Sequence, residues 1–195
     1  AGVAAFTTST GYGIAKYDNP EELSVSDRNN IGYQYTDCPL YWISVIYLNF
    51  AEAKAEMGSL TQDDLNNSIN KLQARAGLPA MTTTPDADPA NNMGVSNLIW
   101  EIRRCRRCEL IMDNWYRYWD LIRWHQLDKL DSTKYPNTML GANVSNVPDC
   151  EEATKNGYID ASDAQIRTYE AKHYFYPIPT TQLTLNKNMK QNPGW

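Results

Sequence analysis

Histidine occurs twice, phenylalanine three times and cysteine four times in these 195 residues. Cys38, Cys105, Cys108 and Cys150 are too sparse for a disulfide-stapled scaffold. A zinc site would need two ligands beyond the Cys105-x-x-Cys108 pair, and only Cys38, Cys150, His125 and His173 remain, none in paired spacing. No metal and no cofactor is expected. No run approaches the ~18 consecutive apolar residues that a membrane-spanning helix needs. G-x-S-x-G, H-E-x-x-H and the glycine-rich phosphate loops are all absent, so nothing announces nucleophilic, metalloprotease or nucleotide chemistry. Basic residues are in deficit, 18 Lys and Arg against 23 Asp and Glu, which argues against a nucleic-acid partner. The opening Ala1–Phe6 has no initiator Met and none of the charge pattern of a secretion signal. It reads as cut from something longer, with any address or lipid attachment expected on the absent part.

What is abundant is Tyr and Trp, with 13 and 6 copies, within a hydrophobic share of 42% that suffices for a packed core. Tyr and Trp join an apolar face to a polar tip, which suits half-wet surfaces that stack on sugars or proteins. Residues 1–37 are rich in Gly, Thr, Ser, Asn and Tyr without helical period and read as irregular structure. Residues 38–127 read as a helical core. Pro39 opens a helix to about Met57 whose early turns, through Leu40, Ile43, Ile46 and Phe50, are apolar nearly all round, predicting burial among other helices. Thr61 caps a second helix, with Asp64 completing a capping box, and Leu65, Ile69, Leu72 and Ala76 recur at helical spacing until Gly77 and Pro79 stop it. The pair makes an antiparallel hairpin of tetratricopeptide size. After a Pro- and Asp-rich linker, Ser96 caps a third helix to about Asp113, and a fourth runs from Tyr116 to Leu127. Residues 128–195 form a loop-rich tail, closed by Tyr176-Pro177-Ile178-Pro179 and Gln191-Asn192-Pro193-Gly194-Trp195. The fold class expected is mainly α: tetratricopeptide-like hairpins packed with an irregular, loop-rich region and a few short strands.

Arg103, Arg104, Arg106 and Arg107, followed by Glu109, Asp113, Arg117, Asp120 and Arg123, suit either an anion site or a structural network. The network is favoured, because each Arg has an acid within helical reach; Asp113 to Arg117 is an i,i+4 step if one helix continues there. Ile102, Cys105, Cys108 and Met112 share a helical stripe, which makes these cysteines core residues. Trp115, Trp119 and Ile122 form a second stripe, again read as core. The loop tyrosines Tyr12, Tyr17, Tyr33, Tyr35, Tyr135 and Tyr158 have no periodic face and are the candidate ligand-stacking residues. No pair of carboxylates stands out for glycoside hydrolysis, and no enzyme activity is expected.

Blocks in a fixed order resemble the carboxy-terminal region of the SusD/RagB family. They are Tyr47-Leu48-Asn49-Phe50-Ala51-Glu52-Ala53, Ile69–Pro79, Ile102–Leu110 with Arg117–Trp124, Tyr176–Pro179, and the Gln191–Trp195 ending. The chain departs from the family where an Arg and a Glu usually stand (here Trp42 and Val45), where an acid is common (Cys105), and at Asp113-Asn114, which replaces Glu-Gly with one extra residue. The resemblance implies a surface-exposed lipoprotein of the cell outer membrane that captures an oligosaccharide, polysaccharide or peptide. It implies delivery to a SusC-like TonB-dependent transporter, and an amino-terminal half, with the lipidated Cys, outside these residues. The matching motifs look like scaffold, so no binding residue carries over by motif. The alternative is a helical protein-interaction module that binds a transporter or peptide without touching glycan; a glycosidase is the third reading.

Overall fold

The computed structural model describes residues 8–13, 16, 24, 26–27, 40–113, 115–147, 154–162 and 164–195. Most of the stretch expected to be irregular, residues 1–37, lies outside them, as do Pro39, Cys38 and Cys150. The chain divides into two compact units: Pro39–Asp120, and Ala1–Cys38 together with Leu121–Trp195.

The first unit is helical. Helix α1 spans Ile43–Glu56, α2 Gln62–Asn66, α3 Ile69–Arg75 and α4 Asn97–Glu109, while α5, Tyr116–Arg123, starts in this unit and runs on past its edge. Gly58 adopts a left-handed φ of 67° after α1, a conformation that costs glycine no Cβ clash, and the Ser59 amide reaches back to the Lys54 carbonyl at 2.9 Å. The capping box forms: the Asp64 amide donates to Thr61 Oγ1 at 3.1 Å, and the Thr61 amide donates to Asp64 Oδ2 at 2.9 Å. Lys54 adds a bridge of 2.8 Å to the same carboxylate, tying the end of α1 to the start of α2. The Lys54 bond, followed by those from Thr61, holds this carboxyl down at about 2, so it stays charged and keeps the corner closed.

Two corrections concern helix ends. The single helix expected over 61–76 is broken at Ser68, whose hydroxyl donates to the Asp64 carbonyl at 2.6 Å and whose backbone leaves helical geometry. The helix expected to reach Asp113 stops at Glu109, because Met112 and Trp115 turn left-handed. The core is formed by Leu48, Ala51, Leu65, Ile69, Leu72, Met81, Ile102 and Leu110. Buried Asn70 pins the following linker to it, accepting from the Met81 amide at 2.7 Å and donating to the Met81 carbonyl at 3.1 Å. A third correction concerns α1. The expectation that it is buried all round fails: α3 and α4 pack on the side of Leu48 and Ala51, while Ile43, Ile46 and Phe50 face outward.

The second unit holds a three-stranded antiparallel sheet of order β1-β3-β2, from β1 Leu140–Asn143, β2 Thr154–Lys155 and β3 Tyr158–Asp160. Asn156 and Gly157, both at positive φ, close the β2–β3 hairpin, the chemistry that a two-residue turn demands. Residues 8–11 dock on this sheet. The Ala142 amide donates to the Thr10 carbonyl at 2.8 Å, Gly11 rests on Ile159 and Ala142, and Gly141 sits so close to Thr10 that a side chain has no room there. The chain's end is fastened the same way. Gln191 exchanges two bonds with the Ile178 backbone at 2.7 and 3.0 Å, and Trp195 Nε1 donates to the Phe175 carbonyl at 2.9 Å. The final helix, α6, covers Thr180–Leu185. Among the described residues no helix is long and apolar enough to cross a membrane.

Candidate functional site

The sheet unit carries a cleft of about 190 Å³. One wall is a turn built by Asp131, a buried carboxylate that accepts from the Thr133 amide at 2.9 Å and from the Tyr169 amide at 3.2 Å. The Ser132 amide donates to the Arg167 carbonyl at 2.8 Å and Ser132 Oγ accepts from the Arg167 amide at 3.0 Å, which zips residues 131–133 to residues 165–169. The other wall is the β2–β3 hairpin. Asp160 accepts from Ser162 Oγ at 2.6 Å and from the Ser162 amide at 3.1 Å, turning the chain out of β3. Both carboxyls lie below the usual range, Asp131 first through Thr133 and Asp160 first through Ser162, with opposing burial too weak to reverse either. Acids held ionised this way are poorly matched to a general-acid step, which needs a raised pKa.

The cleft is lined by Ser132, Thr133 and Ser162, whose hydroxyls already donate to the Arg167 carbonyl, Asp131 and Asp160, with the Gln165 amide and the Lys155 ammonium beside the apolar Met139 and Ile166. It holds no described nucleophile–base pair, and no cluster of three metal-ligating residues exists among the described residues.

The candidate tyrosines fall differently around it. Side chains two apart on a strand share a face, so Tyr158 stands on the same face of β3 as cleft-lining Asp160, and its cross-strand partner is cleft-lining Lys155. Tyr158 is 37% exposed and Tyr12, held by the segment docked on the same sheet, is 62% exposed. Tyr135 is half-buried; Lys129 donates to its hydroxyl at 2.9 Å and lies 4.5 Å from its ring centroid, so both ends of that side chain are engaged. Tyr17, Tyr33 and Tyr35 lie outside the described residues. Sequence reasoning missed Lys155, Ser162 and Gln165. The available signals were the Asp131-x-Thr133 and Asp160-x-Ser162 spacings, which favour side-chain-capped turns, and the Asn156-Gly157 hairpin pair.

The arginine cluster is largely a network. Arg103 bonds Glu52 and Glu56, each at 3.0 Å, Arg104 bonds Glu101 at 2.6 Å, and Arg75 pairs with Glu109. Buried Arg106 reaches Asp120 at 2.7 Å and Asn49 at 2.8 Å. Asp113 and Arg117 do not share a helix, because α4 ends at Glu109 and α5 begins at Tyr116. Burial, and then the nearby Arg107, lowers the Arg117 guanidinium to about 10 against the pull of Asp120. Cys105 packs against the core and burial pushes its thiol up to about 12, far from a reactive thiolate, whereas Cys108 is exposed rather than core. The stripe of tryptophans is also corrected: Trp124 is buried, but Trp115 is 81% and Trp119 54% exposed.

The sequence profile of the SusD family matches residues 2–195. Among solved structures, a SusD-like protein from Bacteroides fragilis superposes with a TM-score of 0.55 at 24% identity, covering 80% of this chain and 25% of its own. The protein named BT4246 gives 0.57 at 23% identity, and its selenomethionine form 0.58 at 26%, over 80% of this chain and 23% and 24% of theirs. The chain thus spans about a quarter of the length of the structures it matches. No curated protein sequence matches it. With a family profile running from the second residue to the last, and four-fifths of the chain superposing on a SusD-like structure, this chain belongs to the SusD family.

Proposed function

We propose that this chain is the carboxy-terminal part of a nutrient-capture lipoprotein of the outer membrane, which holds an oligo- or polysaccharide and delivers it to a SusC-like TonB-dependent transporter. Membership of the SusD family across residues 2–195 is the observation that carries this reading. The chemistry of the sheet unit supports it. Exposed Tyr158 offers a flat apolar face for the axial C–H side of a sugar ring. The Gln165 amide and Lys155 ammonium of the adjacent cleft offer donors for sugar hydroxyls, and the oxygens of Ser132, Thr133 and Ser162, whose protons are already committed, offer acceptors. The ligand leaves as it arrived, since capture needs no acid with a raised pKa.

Tyr158→Ala is expected to weaken saccharide binding by about 1–3 kcal/mol, the cost of losing one aromatic anchor. Isothermal titration with a panel of neutral and acidic oligosaccharides measures it; full affinity in the variant would remove Tyr158 from the site. A second reading, a helical module that binds the transporter or a peptide without glycan contact, draws on the exposed Trp115 and Trp119, since Trp is enriched among interface anchors. Transporter binding lost in Trp119→Ala, with no saccharide binding by the parent, would favour it.

A further inference from the structure

The arginine run divides into members that are paired and two that are not. Arg103, Arg104 and Arg106 are held by acids on α1, α4 and α5 respectively. Among the described residues, Arg107 and Arg117 have neither a hydrogen bond nor an ion pair. Both stand at the same contact between helices. Arg107 follows Arg106 in the last turn of α4, and Arg117 follows Tyr116 in the first turn of α5. Arg106 reaches Asp120 at 2.7 Å and lies 5.8 Å from the Tyr116 ring centroid, so the turns that carry the two arginines are apposed. The acids nearby are taken. Asp120 is neutralised by Arg106 and Glu109 by Arg75, while Asp113 is buried and already engaged. Water can satisfy exposed Arg107, but Arg117 is half-buried and poorly placed for that. Burial first, and then the charge of Arg107, lower the Arg117 guanidinium to about 10, with Asp120 pulling the other way. A cation drawn partly out of water beside a like charge gains more from an arriving anion than an exposed cation does.

We propose that Arg107 and Arg117 together hold a tetrahedral oxyanion, a sulfate or phosphate group, free or as an ester on a larger ligand. Guanidinium groups are planar forks of donors that match such oxygens two at a time. A carboxylate presents two oxygens, which one fork already occupies, whereas a sulfate or phosphate keeps further oxygens for the second. The arginine run then serves both ends of its chemistry: the paired members join helices, and the two left without acids bind an anion. This site belongs to the helical unit and does not depend on the saccharide reading of the cleft in the sheet unit.

The test titrates the whole polypeptide encoded by the open reading frame with sodium sulfate and with sodium phosphate in a calorimeter, at an ionic strength held constant with chloride. Saturable binding of either ion is expected, weakened at least about tenfold in Arg107→Gln. Arg104→Gln, which removes an equal charge from an arginine paired with Glu101, should leave the affinity unchanged. Arg117→Gln should act like Arg107→Gln; if it fails to fold, the substitution at exposed Arg107 still decides the matter. Sulfated and desulfated forms of one oligosaccharide separate the two sources. A preference for the sulfated form that Arg107→Gln abolishes assigns the site to an ester, and binding of the inorganic ions alone assigns it to a free anion; either supports the proposal. No saturable binding of the ions or of the sulfated form, equal affinity in the parent and Arg107→Gln, or an equal loss in Arg104→Gln would each overturn it.

Discussion

Asp120→Ala should cost about 3–5 kcal/mol of folding free energy, the largest loss expected from any single side chain in this protein. Asp120 and Arg106 meet at 2.7 Å with side chains only 5% accessible each. The same guanidinium donates to Asn49 at 2.8 Å and lies 5.8 Å from the Tyr116 ring centroid, so one cation joins α1, α4 and α5. Removing the carboxylate strands a charge that water cannot reach, and that uncompensated desolvation is what makes the loss large. Replacing both partners with apolar residues of similar volume (Arg106→Met with Asp120→Leu) should be far milder, because no stranded charge remains. Urea denaturation of the two variants beside the parent separates the two cases. A loss below about 1 kcal/mol for Asp120→Ala would mean that the pair is solvated and behaves like an exposed bridge.

Leu48→Ala is the second large effect, at about 2–5 kcal/mol. Leu48 is wholly buried on the inner side of α1, in the cluster that also holds Leu65, Ile69 and Ile102. Truncation removes transfer free energy and leaves a cavity whose walls belong to three helices fixed by the Thr61–Asp64 capping box and the Asn70–Met81 bonds, so collapse around it is restricted. The denaturation midpoint reads this directly. A cost near that of an exposed alanine substitution would place Leu48 outside the core.

Both effects fall in the part of the molecule that sequence patterning described best. The capping box, the Ser96 cap and the stop at Gly58 are local events, decided by side chains within four residues of one another, and each stands where its residues indicate. Patterning failed where one side chain diverts the backbone and where burial depends on which neighbour is present. Ser68 breaks a periodic run because its hydroxyl reaches the Asp64 carbonyl, and α1 is apolar on two sides although only one is covered among the described residues. Apolar periodicity says which faces shun water; it does not say which of them this length of chain covers. The tryptophans follow the same rule. Trp115 and Trp119 stand exposed in spite of their spacing, and the left-handed φ of 59° at Trp115 is something no apolar count along the sequence reports.

The site was legible only in part, for a related reason. Tyr158 belongs to a polar stretch too long for an ordinary loop, which makes it a candidate, and it stands exposed on a strand. Its polar neighbours come from residues 131–133, 155 and 160–165, gathered by carboxylate-capped turns and a hairpin within a region that reads as one long loop. Asn156-Gly157 was the strongest short-range sign of that hairpin. The docking of residues 8–11 on β1 depends on the missing side chain of Gly141, a contact across more than a hundred residues that no local pattern encodes.

Capture without turnover is the claim on which the functional account rests, and one measurement addresses it directly. The whole polypeptide is titrated calorimetrically with oligosaccharides, and the ligand recovered afterwards is sized by mass spectrometry. Saturable heat with at least one saccharide, and recovery of that saccharide at its original length, is the outcome expected. Shortened products bearing new reducing ends, or no heat with any saccharide tried, would contradict it.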